Sequence, residues 1–237
     1  MRRETKGLPP SLEHQLSMYA LAAGAAGVGV MALASPMQAK IVYTPSKTWM
    51  NCKAFCGSSF PLDLNHDGTV DFVFSFTGGP RDFFVGITPE KGQSNNMIIG
   101  GIQTQTSGNY KTQIAYVLSS GVSVGGTFTK FQGGRNALLG DREGLFRFGQ
   151  WANVRNKYLG LEFRIGGETH YGWARLSTPG RRRGFGGVNA ILKGYAYETI
   201  PNTPIITGKT KGPDVITVEP GSLGALAAGA SRLRRGK

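Results

Sequence analysis

Oxygen-bearing side chains alternate along residues 63–71, directly before an apolar, alternating segment. Gly68 stands where such a loop must turn sharply, and the Thr69 carbonyl follows it. A hard cation such as Ca²⁺ binds about six to eight oxygen ligands, which carboxylates, amides and backbone carbonyls of a flexible loop can supply. The spacing therefore predicts one calcium site, with Ca²⁺ as the cofactor. The predicted ligands are the side chains of Asp63, Asn65, Asp67 and Asp71 and the carbonyl of Thr69.

The loop does not match an EF-hand. Phe74 stands where an EF-hand has its final bidentate Glu, and residues 72–76 alternate like a strand rather than a helix. The stretch instead resembles the short D-x-N-x-D-G-x-x-D-F calcium loops of dockerin-like, thrombospondin-type and FG-GAP-type proteins. The alternative is a polar turn, because Asn, Asp and Gly favour turns for local reasons. In a calcium loop His66 should point away, because a hard cation prefers oxygen to imidazole.

Short apolar runs punctuated by glycine follow the loop, and the chain contains 36 glycines. This spacing is typical of all-β proteins, and no segment between Lys40 and Gly208 has a long helical period. We predict an all-β fold, an antiparallel, jelly-roll-like β-sandwich over residues 40–207. Strands are predicted at residues 71–76, 83–87, 113–118, 127–131, 145–148, 159–165, 171–176 and 192–197.

Two of these strands form a predicted hairpin around Gly166 and Gly167. Its first strand places Leu159, Leu161, Phe163 and Ile165 on one face. Its second strand carries Tyr171 and Trp173, which favour a core position because large aromatic side chains on a strand usually face a core. The alternative is a platform on which Tyr171 and Trp173 stack against sugar.

The N-terminal residues have the layout of a secretory signal peptide. Residues 1–17 are polar and partly basic, residues 18–33 are apolar and rich in Ala and Gly, and the small residue Ala39 precedes the predicted cut. We predict a signal helix within residues 1–39 and export to the cell surface or the extracellular space. The alternative is a retained membrane anchor, which the short, glycine-containing apolar run disfavours.

Export would place the two cysteines in an oxidising compartment. Cys52 and Cys56 are separated by three residues and can pair only if the backbone curls. A metal site would need further Cys or His ligands, and His66 is the nearest candidate. A local disulfide between Cys52 and Cys56 is the favoured prediction.

Short sequence motifs at both ends and in the body of the chain resemble those of exported bacterial proteins of the PEP-CTERM type. The body contains H-Y-G-W-A-R-L at residues 170–176 and A-Y-E at residues 196–198. A V-E-P triplet at residues 218–220, a short apolar run and an arginine cluster at residues 232–235 close the chain. The resemblance implies a sorting-like tail at residues 222–237, and the Lys, Gly and Pro content of residues 208–221 predicts a linker before it. Signal and tail would touch the membrane only transiently.

The formal net charge of +13 indicates attraction to polyanions. One short basic segment, formed by Arg181, Arg182 and Arg183 among glycines, is a candidate contact for an acidic polysaccharide or another extracellular polyanion; the alternative is a solvated loop. We predict no specific nucleic-acid partner.

Little in the sequence indicates catalysis. The G-x-S-x-G match at residues 121–125 precedes a strand-like segment, whereas a nucleophile elbow needs a helix there. After signal removal only His66 and His170 remain for histidine-based chemistry. We therefore predict a structural or adhesive protein of the cell surface or extracellular matrix that is not an enzyme. The alternative is a secreted, lectin-like carbohydrate-binding or carbohydrate-active module.

The signal-peptide assignment predicts that the exported protein begins at Lys40, since the apolar run ends shortly before Ala39. Intact-mass and N-terminal peptide analysis of exported material should show this terminus. Exported protein that still carries Met1 would contradict the assignment.

Overall fold

A computed structural model describes residues 40–52, 56–79, 83–104, 111–126, 130–142, 146–178 and 188–218. Every regular element in these ranges is a β-strand, so the all-β prediction is confirmed. In the same ranges no helix is long and apolar enough to cross a membrane. The predicted signal helix and sorting-like tail lie outside the described residues.

The strands are β1 Ile41–Cys52, β2 Cys56–Leu62, β3 Phe72–Gly78, β4 Phe83–Pro89, β5 Met97–Thr104, β6 Lys111–Ala115, β7 Ser123–Val124, β8 Phe131–Gln132, β9 Asn136–Arg142, β10 Phe146–Phe148, β11 Val154–Ile165, β12 Glu168–Thr178, β13 Val188–Glu198, β14 Ile205–Ile206 and β15 Val215–Thr217.

One 13-stranded sheet joins all the long strands, in the order β15-β1-β13-β12-β11-β5-β6-β9-β4-β3-β2, with β10 paired to β9 and β8 paired to β5. Most pairs are antiparallel, but β1 with β15 and β6 with β9 are parallel. The sheet curls into a half-barrel, and β1 contacts β2 and β3 across the curl. The jelly-roll sandwich is not confirmed, because the strands form one continuous mixed sheet.

Strand β5 connects the two halves of the curled sheet. Its first residues pair with β11 and β8, whereas the residues from Gly100 onward pair with β6. The approach of β6 at this point is very close, since a Cβ built on Gly100 would lie 2.2 Å from the carbonyl oxygen of Ile114. Glycine is therefore required where the strand passes from one half of the sheet to the other.

The main hydrophobic core fills the inside of the curl. Alternate residues of β3 and β11 point into it, because successive side chains of a strand face opposite sides of a sheet. The inward side chains of β3 are Phe72, Phe74 and Phe76, and those of β11 include Leu159, Leu161 and Phe163. All six are buried, and Ile165 packs against the cluster. The face predicted for residues 159–165 is confirmed.

A second core lies on the opposite face of β11, β12 and β13. Trp173 is fully buried there, edge-on to Tyr158 with the ring centroids 5.2 Å apart. The short β7–β14 sheet contributes Val124 and Ile205 to the same cluster. Tyr171 stacks on Phe131 at 5.9 Å. Trp173 therefore has the core position that the sequence favours, and its ring offers no face to a sugar.

The predicted hairpin is confirmed. β11 and β12 are antiparallel neighbours joined at Gly166 and Gly167, whose φ angles are 58° and 88°. Positive φ at both central residues is the geometry of a type I′ turn, which glycine adopts without steric cost.

Two isoleucines on β5 provide a matched test of the core. Ile98 is fully buried, whereas Ile102 on the same strand is 60% exposed. Ile98→Ala should lower the free energy of unfolding by about 2–5 kcal/mol, because it removes buried methyl groups and leaves a cavity. Ile102→Ala should change it by no more than about 0.5 kcal/mol. Urea denaturation measures both, and equal losses would contradict this arrangement of the core.

Candidate functional site

The acidic loop, residues 63–71, joins the end of β2 to the start of β3. The Asp71 amide donates to the Leu62 carbonyl at 3.0 Å and closes the loop at its base. Leu64 within the loop and Phe72 directly after it are both 0% exposed. The loop is therefore anchored in the main core at both of its ends.

The carboxylates of the loop accept hydrogen bonds from its own backbone. Asp63 accepts from the His66 amide through Oδ1 at 2.7 Å and from the Gly68 amide through Oδ2 at 2.9 Å. Asp67 Oδ1 accepts from the Thr69 amide at 2.7 Å. Gly68 has a φ of 87°, the positive value expected at the sharp turn. These bonds fold the loop around its acidic side chains.

Asn65 belongs to the same network. Its Nδ2 donates to Asp67 Oδ2 at 2.9 Å, and its Oδ1 accepts a long hydrogen bond of 3.4 Å from the Asp67 amide. Burial by itself raises the pKa of Asp67, but the hydrogen bonds from Asn65 and Thr69 outweigh it and hold that pKa below its usual value. Asp67 is therefore charged at neutral pH.

Asp71 is the buried carboxyl group of the loop, with 3% exposure. Its Oδ2 accepts from the Leu64 amide at 2.8 Å. Burial, together with the nearby charges of Asp63 and Asp67, raises the pKa of Asp71 to about 7 against the opposing hydrogen bonds from Leu64 and Asn96. The three carboxyl groups therefore act on one another, although they are distributed along the loop.

The His66 side chain is directed at β1 and β13. Its Nε2 lies 2.7 Å from Thr44 Oγ1 and 3.5 Å from the hydroxyl of Tyr195, and the His66 and Tyr195 ring centroids are 5.6 Å apart. Burial raises the pKa of Tyr195 to about 12, with a further contribution from Asp63. His66 thus fastens the loop to the sheet through Thr44 and Tyr195.

A cavity of about 360 Å³ lies beside this attachment, between β1, β2 and the acidic loop. Asp63, His66 and Tyr195 line its polar side, and core side chains such as Met50 and Phe74 line its apolar side. The cavity follows from the curl of the sheet, which brings β1 close to β2 without a hydrogen-bonded pairing between them in the described residues.

Asn96 also belongs to the site, although it lies 25 residues beyond Asp71. It is fully buried; its Nδ2 donates to the Asp71 carbonyl at 3.2 Å and its Oδ1 accepts from the Arg164 amide at 3.1 Å. The Glu90 amide donates to the same Asp71 carbonyl at 3.0 Å. Asn96 connects the loop to β11, and no local sequence pattern marks it.

The metal prediction is not decided by this geometry. Within the described ranges, no three or more His, Cys, Asp or Glu side chains are grouped closely enough to hold a metal ion. The predicted ligands Asn65 and Thr69 would supply an amide oxygen and a backbone carbonyl, which are donors that Ca²⁺ also accepts. The network of hydrogen bonds fits both the calcium loop and the polar turn, so calcium remains a prediction.

Of the other candidate residues, the structure describes His170 and Ser123 but not the cysteine side chains or the arginine segment. His170 is buried, and its Nδ1 donates to the Glu198 carbonyl at 2.9 Å, which gives it a structural role. Ser123 lies in the two-residue strand β7. The side chains of Cys52 and Cys56, and the whole of Arg181, Arg182 and Arg183, lie outside the described residues, so the disulfide and the polyanion contact stay predictions.

Comparison with known proteins gave no match: no protein family, no curated protein and no solved structure matches the chain.

The raised pKa of Asp71 predicts a pH dependence of stability in the absence of metal. Folding favours the protonated carboxyl group, so its stabilising contribution is complete below the unfolded pKa and is lost as pH rises through about 7. The melting temperature of the chelated protein, relative to that of Asp71→Asn, should therefore fall between about pH 5 and about pH 8. Thermal melts across this range measure the difference.

Asp67→Asn is the matched control. Because the pKa of Asp67 is lowered, Asp67 stays charged over the whole range and its replacement should show no transition there. A constant difference between Asp71→Asn and the unmutated protein would show that Asp71 titrates normally in the fold.

Proposed function

We propose that this protein is an exported structural or adhesive component of the cell surface or extracellular matrix, without enzymatic activity, whose β domain is stabilised by one calcium ion in the acidic loop. The observation that carries the calcium part of the proposal is the buried carboxyl group of Asp71, which lies directly before core strand β3 and within the field of Asp63 and Asp67. The exported structural role rests on the sequence patterns alone.

A cation in this loop would stabilise the fold for an electrostatic reason. Without it, ionised Asp71 is buried among like charges, and a buried carboxylate with no opposite charge is costly. Ca²⁺ would supply the opposite charge and favour the ionised form. The loop belongs to the β2–β3 half of the sheet, and His66 and Asn96 fix it to β1 and β11 of the other half, so the gain would be transmitted to both halves.

We also propose a relationship to PEP-CTERM-type exported proteins, which rests on the sequence motifs alone. The H-Y-G-W-A-R-L word lies on β12 and the A-Y-E word ends β13, and these strands are antiparallel neighbours with Trp173 opposite Ala196. The two sequence motifs, which are separate along the chain, therefore lie side by side in the sheet. The jelly-roll-like sandwich, the signal peptide and the sorting-like tail belong to the same proposal.

The alternative function is a secreted carbohydrate-binding or carbohydrate-active module. The buried ring of Trp173 gives it no support. A groove on the outer face of β2, β3 and β4 favours carbohydrate binding over carbohydrate chemistry, because five of its twelve lining residues carry a hydroxyl group and only one, Glu90, carries a carboxylate.

Calcium should raise the melting temperature of the unmutated protein relative to protein in chelator. An ion that binds only the folded state contributes RT ln(1 + [L]/Kd), which is about 2.7 kcal/mol at a hundredfold excess over Kd. Asp67→Ala should abolish this response and leave the far-UV circular dichroism of the β-sheet unchanged, because Asp67 is exposed and only contributes to the loop. Thermal melts with chelator and with added Ca²⁺ test this expectation.

Glu168→Ala is the control, since Glu168 is an exposed carboxylate at the β11–β12 turn, outside the loop. It should retain the full calcium response. Identical melting temperatures of the unmutated protein in chelator and in Ca²⁺ would sink the calcium proposal and leave the loop as a polar turn.

A further inference from the structure

The outer face of β2, β3 and β4 forms an open groove of about 720 Å³. Strand alternation turns the Phe side chains of β3 inward, so the small side chains between them face out. The groove is lined by Gly57, Ser58, Ser59, Val73, Ser75, Phe76, Thr77, Thr88, Pro89, Glu90, Lys91 and Arg135.

Hydroxyl groups recur across the floor of this groove. Ser59 is the cross-strand partner of Ser75, and Thr88 is the partner of Val73. Neighbouring strands are about 4.8 Å apart, so Ser59 and Ser75 place two hydroxyls side by side, whereas the β4 partner of Ser75 is Gly86, which adds none. Ser59 and Thr77 are exposed, and Ser75 and Thr88 are partly exposed. Such a surface offers hydrogen bonds to a flat, polyhydroxylated ligand.

A single guanidinium group stands at the edge of the groove in a fixed position. The Arg135 guanidinium carbon lies 3.9 Å from the centroid of the Phe84 ring. That ring is itself held over Gly86, where a Cβ would come within 2.3 Å of it. Stacking orders the planar fork of Arg135 and leaves its N–H edge free to donate, and no carboxylate pairs with it among the described residues.

We propose that this groove binds an acidic polysaccharide, with one uronate carboxylate on Arg135 and sugar hydroxyls on Ser59, Ser75, Thr77 and Thr88. A guanidinium fork matches a carboxylate in a bidentate geometry, which a neutral sugar cannot use. Glu90 and Lys91 at the same groove offset each other in charge, so Arg135 gives the groove its net positive charge. The chain's charge of +13 attracts such a polymer at long range.

The same geometry disfavours nucleic acid as the occupant. Single-stranded nucleic acid is bound largely by stacking of bases on exposed aromatic rings. Phe76 is the aromatic residue that lines this groove, and it is buried in the main core. The nearby Phe84 ring has Arg135 on it and Gly86 beneath it. No open aromatic face therefore remains among the described lining residues. The groove contains none of the acidic loop's residues, so this inference does not rest on calcium.

The test uses polygalacturonate oligomers as the acidic probe, titrated into the full mature protein by calorimetry at fixed salt. Arg135→Gln should weaken binding by about tenfold, the loss expected for one charge-assisted contact. Arg135→Lys should weaken it almost as much, because an ammonium cannot form the stacked, bidentate contact. Ser59→Tyr should also weaken it by filling the groove from an exposed position.

Lys211→Gln is the charge-matched control, because Lys211 is exposed in the loop between β14 and β15. It should bind the probe within about twofold of the unmutated protein, which is the small effect expected for one distant, screened charge. Circular dichroism melts of all variants confirm that each is folded at the temperature of the titration.

Three results would overturn the proposal. Equal losses in Arg135→Gln and Lys211→Gln would mean diffuse attraction to the basic surface. Neutral dextran bound as tightly as polygalacturonate would exclude an acidic ligand. Single-stranded DNA bound as tightly, with the same dependence on Arg135, would identify a general polyanion site. The titrations are repeated in chelator. Unchanged affinity for polygalacturonate there would show that binding in the groove does not depend on the calcium site.

Discussion

The buried carboxyl group of Asp71 is the constraint on which this part of the structure depends. It holds the Leu64 amide, lies next to core residue Phe72, and its own backbone carbonyl is held by Asn96 and by the Glu90 amide. A charge in that position is unfavourable unless a proton or a cation accompanies it. The fold accordingly surrounds Asp71 with hydrogen-bond donors. Because the loop adjoins the core, pH or cation concentration would change the stability of the fold through Asp71.

The curled sheet gives this local interaction a wider effect. β3 begins directly after Asp71 and sends three phenylalanines into the core shared with β11, while His66 fastens the loop to β1 and β13. The loop is therefore attached to both halves of the half-barrel, beside the cavity where β1 and β2 approach each other. The outer face of β2–β4 has a different character: it is lined by small hydroxyl-bearing side chains and Arg135, and it is open to solvent. The main core and the proposed binding groove thus lie on opposite faces of the same strands.

The sequence predicted those features that depend on neighbours along the chain. The β11–β12 hairpin was predictable because alternation is regular on both sides of Gly166 and Gly167. β1 was missed because a register shift between Pro45 and Thr48 breaks its alternation, and β5 was missed because Gly100 and Gly101 interrupt its apolar run. The strand order and the parallel pairing of β6 with β9 depend on long-range contacts that no local pattern encodes. In the loop, Asp63, Asp67 and Asp71 were visible by their spacing, whereas Asn96 and the Thr44 partner of His66 come from distant segments.

The central claim is that the acidic loop binds calcium through the Asp71 carboxyl group, which is protonated when calcium is absent. The most direct test is a calorimetric titration of metal-free mature protein with Ca²⁺ slightly below pH 7. The titration is run in two buffers of different ionisation enthalpy, so that released protons can be counted. We expect one ion bound per chain and release of a substantial fraction of one proton, because Asp71, with a pKa of about 7, must ionise to become a ligand. No saturable binding, or binding without proton release that persists in Asp71→Asn, would contradict it.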